Sequence, residues 1–161
     1  MSLSCKAGKY RAVLQELLKM KIPTGNIHLL FGPVDILCEF SFDTLEEFKK
    51  KWFNPVRMIG EEEEWITRTQ TFIVIEVGKE TVEEPFAILF LNTQPRNLER
   101  VQDLLLKLPE VLTADTVFGP YDVICSVRAK NQKSLEHTVS HIQNIQGVEG
   151  SITAIVAGMR I

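Results

Sequence analysis

The sequence predicts an α+β fold built from two tandem copies of one βαββαβ unit. The first observation is an internal repeat, in which FGPVDILC at residues 31–38 returns as FGPYDVIC at residues 118–125. The second is the order of strand-length apolar runs and helical stripes, which each half shows separately. A repeat of this kind indicates that each copy folds as one supersecondary unit. We therefore divide the chain into a first unit at 1–76, a linker at 77–85 and a second unit at 86–161.

The second unit shows the order of elements more clearly. Its first helix is predicted by apolar residues at helical spacing, among them Leu98, Val101 and Leu105. Glycine and proline mark the breaks, because both favour turns and end regular structure. The predicted elements are, in chain order, a strand at 86–93, a helix from Asn97 to Leu108, a strand at 113–130 broken at Gly119 and Pro120, a helix that begins at Asn131 or Ser134 and ends at Gly147, and a strand at 151–157.

The first unit follows the same order with a shorter start. Residues 10–21 form its first predicted helix. Asp43 with Glu46 is a capping box at the beginning of its second helix. Its last strand is predicted at 65–76. Only residues 1–6 remain for its first strand, so we expect that strand to be abbreviated.

Alternation after the break in the second unit predicts which side chains share a face of the strand. Tyr121, Val123 and Cys125 fall on the face toward the helices, and Asp122 and Ile124 fall on the other. A ferredoxin-like βαββαβ sheet carries helices on one face only, and the apolar Ile124 indicates that the other face is also covered. We expect the two sheets to pack on each other as an intrachain pseudo-dimer, the arrangement of a dimeric α/β barrel.

Composition and charge exclude several classes of protein. The 161 residues are 45% hydrophobic and 24% charged, which is typical of globular domains and argues against a disordered tail, a collagen-like rod or a coiled coil. The 18 basic and 21 acidic residues give a net charge of -3, and the isoelectric point is about 5.7. A DNA-binding module usually carries a basic face and a high isoelectric point. We therefore expect no direct binding to nucleic acid.

Hydrophobic runs and cysteines indicate the compartment. No apolar run approaches the roughly 20 residues of a membrane span, and basic residues between Lys6 and Arg11 interrupt any signal peptide. Cys5, Cys38 and Cys125 are an odd number at wide spacing, which fits neither a metal knuckle nor a disulfide framework. We predict a cytoplasmic protein without membrane contact.

The second unit carries a resemblance to a known family. Residues 118–124, FGPYDVI, resemble the G-x-Y-D strand in the effector-binding domain of the Lrp/AsnC (leucine-responsive) regulators. The resemblance extends through 98–111 and through 147–153, and it covers essentially all of 86–161. The first unit keeps the glycine and the aspartate of the motif, has Val34 in place of the tyrosine and matches more loosely.

The resemblance implies a fold and a function. Such domains pair into an α/β sandwich, often assemble into rings of dimers, and bind small effectors, typically amino acids, at contacts between dimers near the G-x-Y-D turn. Full-length regulators also carry an N-terminal helix-turn-helix, for which the βαββαβ pattern, beginning at or before Tyr10, leaves no room. The resemblance therefore implies a homo-oligomeric sensing module, with a DNA-binding regulator as a possible partner.

The candidate ligand-binding residues are Gly119, Tyr121 and Asp122, with Gly32 and Asp35 at the corresponding places of the first unit. The functional interpretation of this turn is that it exposes backbone N–H groups to the carboxylate of an amino acid, whose ammonium meets Asp122. The structural alternative is that glycine and proline simply make the turn, while the aspartate accepts nearby backbone N–H groups. Because the first unit lacks the tyrosine, we expect its site to be weaker or empty.

Other reactive side chains favour structural interpretations. Cys38 and Cys125 coincide in the repeat but lie on apolar strand faces, where cysteine behaves as a small hydrophobe. His137 and His141 have the spacing of a two-histidine metal clip, yet they lie off the apolar stripe of their helix and have no third ligand nearby in the sequence. We therefore predict no catalytic residue, no metal site and no cofactor.

Two other functions remain open at this point. One is an enzyme on the same scaffold, such as a relative of the haem-precursor decarboxylases that resemble this family. That function needs a histidine or a tyrosine–arginine constellation inside a large cavity, and Tyr121, His28 and scattered arginines are what the sequence offers. The other is a purely structural oligomerisation piece. We predict the sensing module, which is not an enzyme.

Overall fold

The structure is a computed structural model that describes residues 1–79, 81 and 83–158. Glu80 and Val82 of the expected linker, and residues 159–161 at the end of the expected second unit, lie outside the described residues. The described chain forms two compact units. Residues 1–71 with 157–158 belong to the first, and residues 72–156 form the second.

The first unit is a four-stranded antiparallel sheet with helices in the split βαβ order. Its strands follow one another across the sheet as β4-β1-β3-β2. The abbreviated first strand is therefore an interior strand with a neighbour on each side. The elements are β1 Ser2–Cys5, α1 Tyr10–Lys19, β2 Ile27–Phe31, β3 Ile36–Cys38, α2 Leu45–Phe48, a π-helical turn Lys49–Phe53, α3 Asn54–Arg57 and β4 Ile66–Gln70.

The second unit repeats this architecture and adds one strand. Its sheet runs β9-β6-β8-β7-β5, so the first four strands have the same split βαβ order and β5 pairs with the outer side of β7. The ferredoxin-like prediction is confirmed in both units. The elements are β5 Ile73–Glu76, β6 Ala87–Thr93, a 3₁₀ turn Pro95–Asn97, α4 Leu98–Leu106, β7 Val111–Phe118, β8 Val123–Val127, α5 Gln132–Gln143 and β9 Val148–Ala157.

The strand expected at 65–76 is two strands that serve different units. β4 ends at Gln70 and pairs with β1, whereas β5 begins at Ile73 and pairs with β7. The sequence pattern did not reveal the break because the whole stretch favours extended structure and holds neither glycine nor proline. The second compact unit accordingly begins before the linker that the sequence suggested.

Each unit has its own hydrophobic core between its sheet and its helices. In the second unit Leu89 and Leu91 of β6 meet Val101 and Leu105 of α4, and all four are fully buried. The apolar helix stripe expected from the spacing is thus the packed face of α4. In the first unit Leu3 and Val13 are among the fully buried residues. Neither Leu37 nor Ile124 belongs to these cores, as expected for the face away from the helices.

Capping differs between the corresponding second helices of the two units. Asn131 caps α5, where it exchanges hydrogen bonds with Ser134 in a capping box. In the first unit the cap is Thr44 rather than the predicted Asp43, because Thr44 has the extended backbone and its Oγ1 accepts from the N–H of Glu47 at 3.1 Å. The Glu47 carboxylate in turn accepts from the N–H of Asp43 at 2.9 Å.

Face-to-face packing of the two sheets stays a prediction, since it concerns the placement of one unit against the other. Among the helices of the described ranges, none has the length and apolar character needed to cross a membrane.

Gly78, which the sequence assigned to the linker, lies tightly against the second unit. Its N–H donates to the Asp115 carboxylate at 2.9 Å. A Cβ at this position would collide with the backbone carbonyl of Ala114 and crowd Leu106. The close approach explains why only glycine fits where the chain leaves β5.

We therefore expect Gly78→Ala to destabilise the protein by about 1–3 kcal/mol, because the added methyl must displace backbone rather than a flexible side chain. The matched control is Gly25→Ala, whose Cβ would have no neighbour within 4 Å. Urea unfolding of both variants measures the difference. Equal unfolding midpoints for the two variants would contradict the close packing at Gly78.

Candidate functional site

The G-x-Y-D segment of the second unit is the turn between β7 and β8. Gly119 and Pro120 are exposed, whereas Tyr121 and Asp122 are partly buried. Within the described residues, the N–H groups of Gly119 and Tyr121 have no hydrogen-bond partner. The backbone of Asp122 is fully paired, since its N–H donates to Leu91 at 2.9 Å and its carbonyl accepts from Val117 at 2.9 Å. The turn therefore offers two backbone donors, not the N–H of Asp122.

The Asp122 side chain pairs a backbone N–H at the end of β6. The paired residues of β6 and β8 end at Leu91 and Val123, so the N–H of Thr93 lies beyond the last pair of that ladder. The Oδ2 atom of Asp122 accepts the N–H of Thr93 at 2.8 Å. An unpaired backbone N–H away from water is costly, so this carboxylate stabilises the end of β6.

The first unit repeats the arrangement bond for bond. The pairing of β1 with β4 shifts register at a β-bulge between Ser4 and Cys5, as the pairing of β6 with β9 does between Asn92 and Thr93. The structural alternative considered from the sequence therefore holds for both aspartates. The three matching bonds are Cys5 N–H to Asp35 Oδ2 at 2.7 Å, Asp35 N–H to Leu3 O at 2.9 Å and Leu30 N–H to Asp35 O at 2.8 Å.

Tyr121 lies on the face opposite to the one predicted. Its ring contacts Phe90, with ring centroids 5.4 Å apart, and Phe72, at 6.2 Å. Phe90 is paired in register with Ile124 on the face away from the helices, whereas Val123 and Cys125 lie in the helix-side core. The alternation rule failed because Tyr121 belongs to the turn and not to the strand.

The corresponding place in the first unit is chemically different. Gly32 is exposed in the matching turn, but the tyrosine is replaced by Val34, which is buried. The strand position that matches Phe90 holds Ser2, whose Oγ is buried without a hydrogen-bond partner among the described residues. The first unit thus keeps the aspartate and the bulge and lacks the aromatic cluster.

Sequence reasoning missed Asn92 and the two phenylalanines beside the turn. The Nδ2 of Asn92 donates to the carbonyl of Pro120 at 3.3 Å and so ties the turn to β6. Phe90 was visible only as part of an apolar run, and Phe72 as part of a strand of the first unit. The motif at 31–38 returns 87 residues later at 118–125. Aligning β1 with β6 at an offset of 88 residues places Ser4 opposite Asn92, and this alignment could have pointed to Asn92.

The remaining polar candidates have structural surroundings. The Nε2 of His28 lies 3.3 Å from a carboxylate oxygen of Glu39, and this hydrogen bond holds the pKa of Glu39 below its usual range. His137 and His141 are both exposed on α5. Across the described ranges, no group of three or more His, Cys, Asp or Glu side chains could hold a metal ion.

The cysteines are poor nucleophiles in this fold. Burial raises the pKa of Cys38 to about 12 and that of Cys125 to about 12. Burial, together with the nearby charge of Asp35, raises the pKa of the half-buried Cys5 to about 11. The thiolate is the reactive form, so all three side chains are protonated at neutral pH.

The second unit matches a known protein family. Residues 86–158 match the family described as the Lrp/AsnC ligand binding domain. The chain is 30% identical over 70 residues to the HTH-type transcriptional regulator FL11 of Pyrococcus furiosus, and this match covers 44% of the chain and 46% of FL11. FL11 of Pyrococcus horikoshii is 31% identical over the same length, with the same coverage. The chain thus spans about half the length of these relatives.

Among solved structures, the chain is similar to TTHA0845 from Thermus thermophilus. The two share 26% sequence identity with a TM-score of 0.43, and the match covers 47% of this chain and 94% of TTHA0845.

We expect Asp122→Ala and Asp35→Ala each to lower the free energy of unfolding by about 1–3 kcal/mol, because the first leaves the N–H of Thr93 unpaired and the second that of Cys5. Asp→Asn at either position should cost less, since the amide oxygen can still accept. Thermal and urea unfolding measure the series, with Glu62→Ala at an exposed carboxylate as the control. If both alanine variants unfold like the Glu62 variant, the carboxylates do not stabilise the ends of β6 and β1.

The burial of the cysteines predicts a graded reaction with iodoacetamide. At pH 8 Cys5 should be alkylated first, because its thiol is half-buried and its pKa is the lowest of the three. Cys38 and Cys125 should react only after denaturation. Below its pKa, the rate at Cys5 should rise about tenfold per pH unit. Peptide mass spectrometry assigns the sites, and fast labelling of Cys125 in the native protein would contradict the inertness of this thiol.

Proposed function

We propose that the chain is a small-molecule sensing and oligomerisation module related to the transcriptional regulators of the Lrp/AsnC family, whose ligand-binding domain residues 86–158 match. We propose an amino acid as the effector, bound beside Gly119, Tyr121 and Asp122 of the second unit. The single observation that carries the proposal is the G-x-Y-D turn of this domain, with two unpaired backbone donors beside a carboxylate.

The geometry of the turn supports a zwitterionic ligand. The N–H groups of Gly119 and Tyr121 are donors for a carboxylate, as in other sites where free backbone amides bind anions. The Asp122 carboxylate uses Oδ2 to accept from Thr93, and a carboxylate has further lone pairs for an ammonium group. An α-amino acid carries both groups on adjacent atoms, so one small molecule can meet both ends of this turn.

The neighbouring aromatic rings support an apolar side chain on the effector. Tyr121, Phe90 and Phe72 form a continuous cluster with ring centroids 5.4–6.2 Å apart. Tyr121 and Phe72 are only partly buried, so their rings can contact a bound molecule. Ligand sites commonly combine apolar walls with a few well-placed polar groups.

We propose that the first unit, at 1–76, is a degenerate version of the same domain. It keeps Gly32 and Asp35 but has Val34 and Ser2 where the second unit has its tyrosine and phenylalanine. Without the aromatic cluster it lacks the apolar wall, and its site should be weaker or empty.

We propose that the effector lies at a contact between chains of a homo-oligomer and that the module acts through a DNA-binding partner rather than binding DNA itself. The turn itself supports the first part, because Gly119 and Pro120 are both exposed. The net charge of -3 supports the second part, since affinity for DNA comes largely from clustered lysine and arginine side chains.

The test begins with a thermal-shift screen of the protein against the twenty amino acids, followed by calorimetry with the amino acid that raises the melting temperature most. Asp122→Asn removes the charge but keeps an acceptor for the N–H of Thr93. It should therefore fold like the parent and bind at least tenfold more weakly, because a charge-assisted hydrogen bond is typically worth about 1.5–3 kcal/mol.

Asp35→Asn is the matched control, because it makes the same change at the corresponding turn of the unit that lacks the aromatic cluster. It should leave the affinity within about threefold of the parent. If Asp122→Asn binds as tightly as the parent, or if no amino acid changes the melting temperature, the proposed effector site is wrong.

A further inference from the structure

The strand β5 is an exposed edge with apolar side chains on both faces. It is the last strand in the order of its sheet, and across the described ranges no strand pairs with its outer side. Ile73, Val74, Ile75 and Val77 are 36%, 50%, 66% and 59% exposed. Phe118, the register partner of Ile73, is 71% exposed. We call these five side chains the β5 edge surface.

The edge strand of the first unit shows that an exposed apolar edge is not a general feature of the fold. β4 also lies at the end of its sheet, but its sequence is ITRTQ, with Thr67 and Arg68 exposed. Natural proteins protect edge strands with charged or polar residues, proline or bulges. β5 has a register shift between Val74 and Glu76. Its one charged residue is Glu76, and its other three residues are apolar. A strand that lacks the polar protection of its counterpart is typical of an interaction surface.

We propose that the β5 edge surface is a dimer interface, at which β5 of one copy packs against β5 of a second copy about a twofold axis. In this antiparallel arrangement, centred on Ile75, Val74 of one copy faces Glu76 of the other. Each Glu76 therefore meets an aliphatic side chain and not the like charge of its partner. The surface is self-complementary, as an isologous interface requires.

The size of the surface favours a second copy over an unrelated partner. The exposed parts of the five side chains amount to about 500 Å² per copy, so two copies would bury roughly 1,000 Å², the lower limit for a specific interface. A partner with a polar surface would have to bury its polar groups against these apolar side chains without hydrogen bonds, which is costly. A second copy always supplies an equally apolar surface, and an interface of this size gives a dimer that dissociates on dilution.

This interface is separate from the proposed effector site and does not depend on it. The proposed effector site is formed by the turn residues Gly119, Tyr121 and Asp122, whereas the β5 edge surface is formed mainly by the strand before the linker. Asp122→Asn should therefore leave the dimer intact even if it abolishes effector binding, and failure of either proposal can be recognised without the other.

The experiment compares two lysine variants by sedimentation velocity over a dilution series from about 100 µM to about 1 µM. Ile75→Lys places an ammonium of each copy in the apolar interface and should weaken self-association at β5 by about a hundredfold or more. Thr67→Lys, on the protected edge β4, is the matched control and should leave association unchanged. Circular dichroism melting checks that both variants fold like the parent.

A cysteine variant gives an independent measurement that does not require a disruptive change. In a Cys5→Ser background, Ile75→Cys should form a disulfide-linked dimer under mild oxidation, because the two positions face each other across the twofold axis. Thr67→Cys should not. A parent that stays monomeric throughout the dilution series, equal masses for the two lysine variants, or no cross-linking through Ile75→Cys would overturn the proposal.

Discussion

The hydrogen bond between an aspartate and a backbone N–H at the end of a central strand is the interaction on which each unit depends. β1 and β6 are interior strands, and their ladders with β3 and β8 end before the N–H groups of Cys5 and Thr93, which would otherwise be unpaired. Asp122 accepts the N–H of Thr93 at 2.8 Å, and Asp35 accepts that of Cys5 at 2.7 Å. In the first unit this bond connects the turn before β3 to the end of β1, and in the second unit it connects the turn before β8 to the end of β6. The geometry of the turn therefore follows from the need to pair one N–H group.

This constraint also explains how a turn can serve as a binding site. Asp122 is held by its backbone N–H, its carbonyl and its carboxylate, and Asn92 holds the carbonyl of Pro120. Among the described residues no acceptor pairs with the N–H groups of Gly119 and Tyr121, although the residues next to them are fixed. A ligand that meets fixed donors loses less free energy to ordering than one that must organise a mobile loop. The structural and the ligand-binding interpretations of the aspartate are thus compatible.

The repeat and the element order could be predicted from the sequence, because periodicity reports on helices and strands that pack in the ordinary way. Three features could not. Tyr121 lies outside the strand ladder, where alternation has no meaning, so its face was assigned wrongly. The division between β4 and β5 depends on which strand each one pairs with, and pairing is a tertiary property. The role of Phe90 depends on two neighbours that lie far away in the sequence.

The two copies have kept the same backbone and changed the side chains that the backbone does not need. The aspartate, the bulge and the three hydrogen bonds are present in both units. Val34 and Ser2 of the first unit occupy the positions that correspond to Tyr121 and Phe90 of the second. The edge strands differ in the same way, since polar β4 and apolar β5 occupy ends of similar sheets. The three shared hydrogen bonds and the hydrophobic core of each unit do not involve the aromatic cluster or the exposed side chains of β5. These side chains can therefore differ between the two copies without disturbing the common fold.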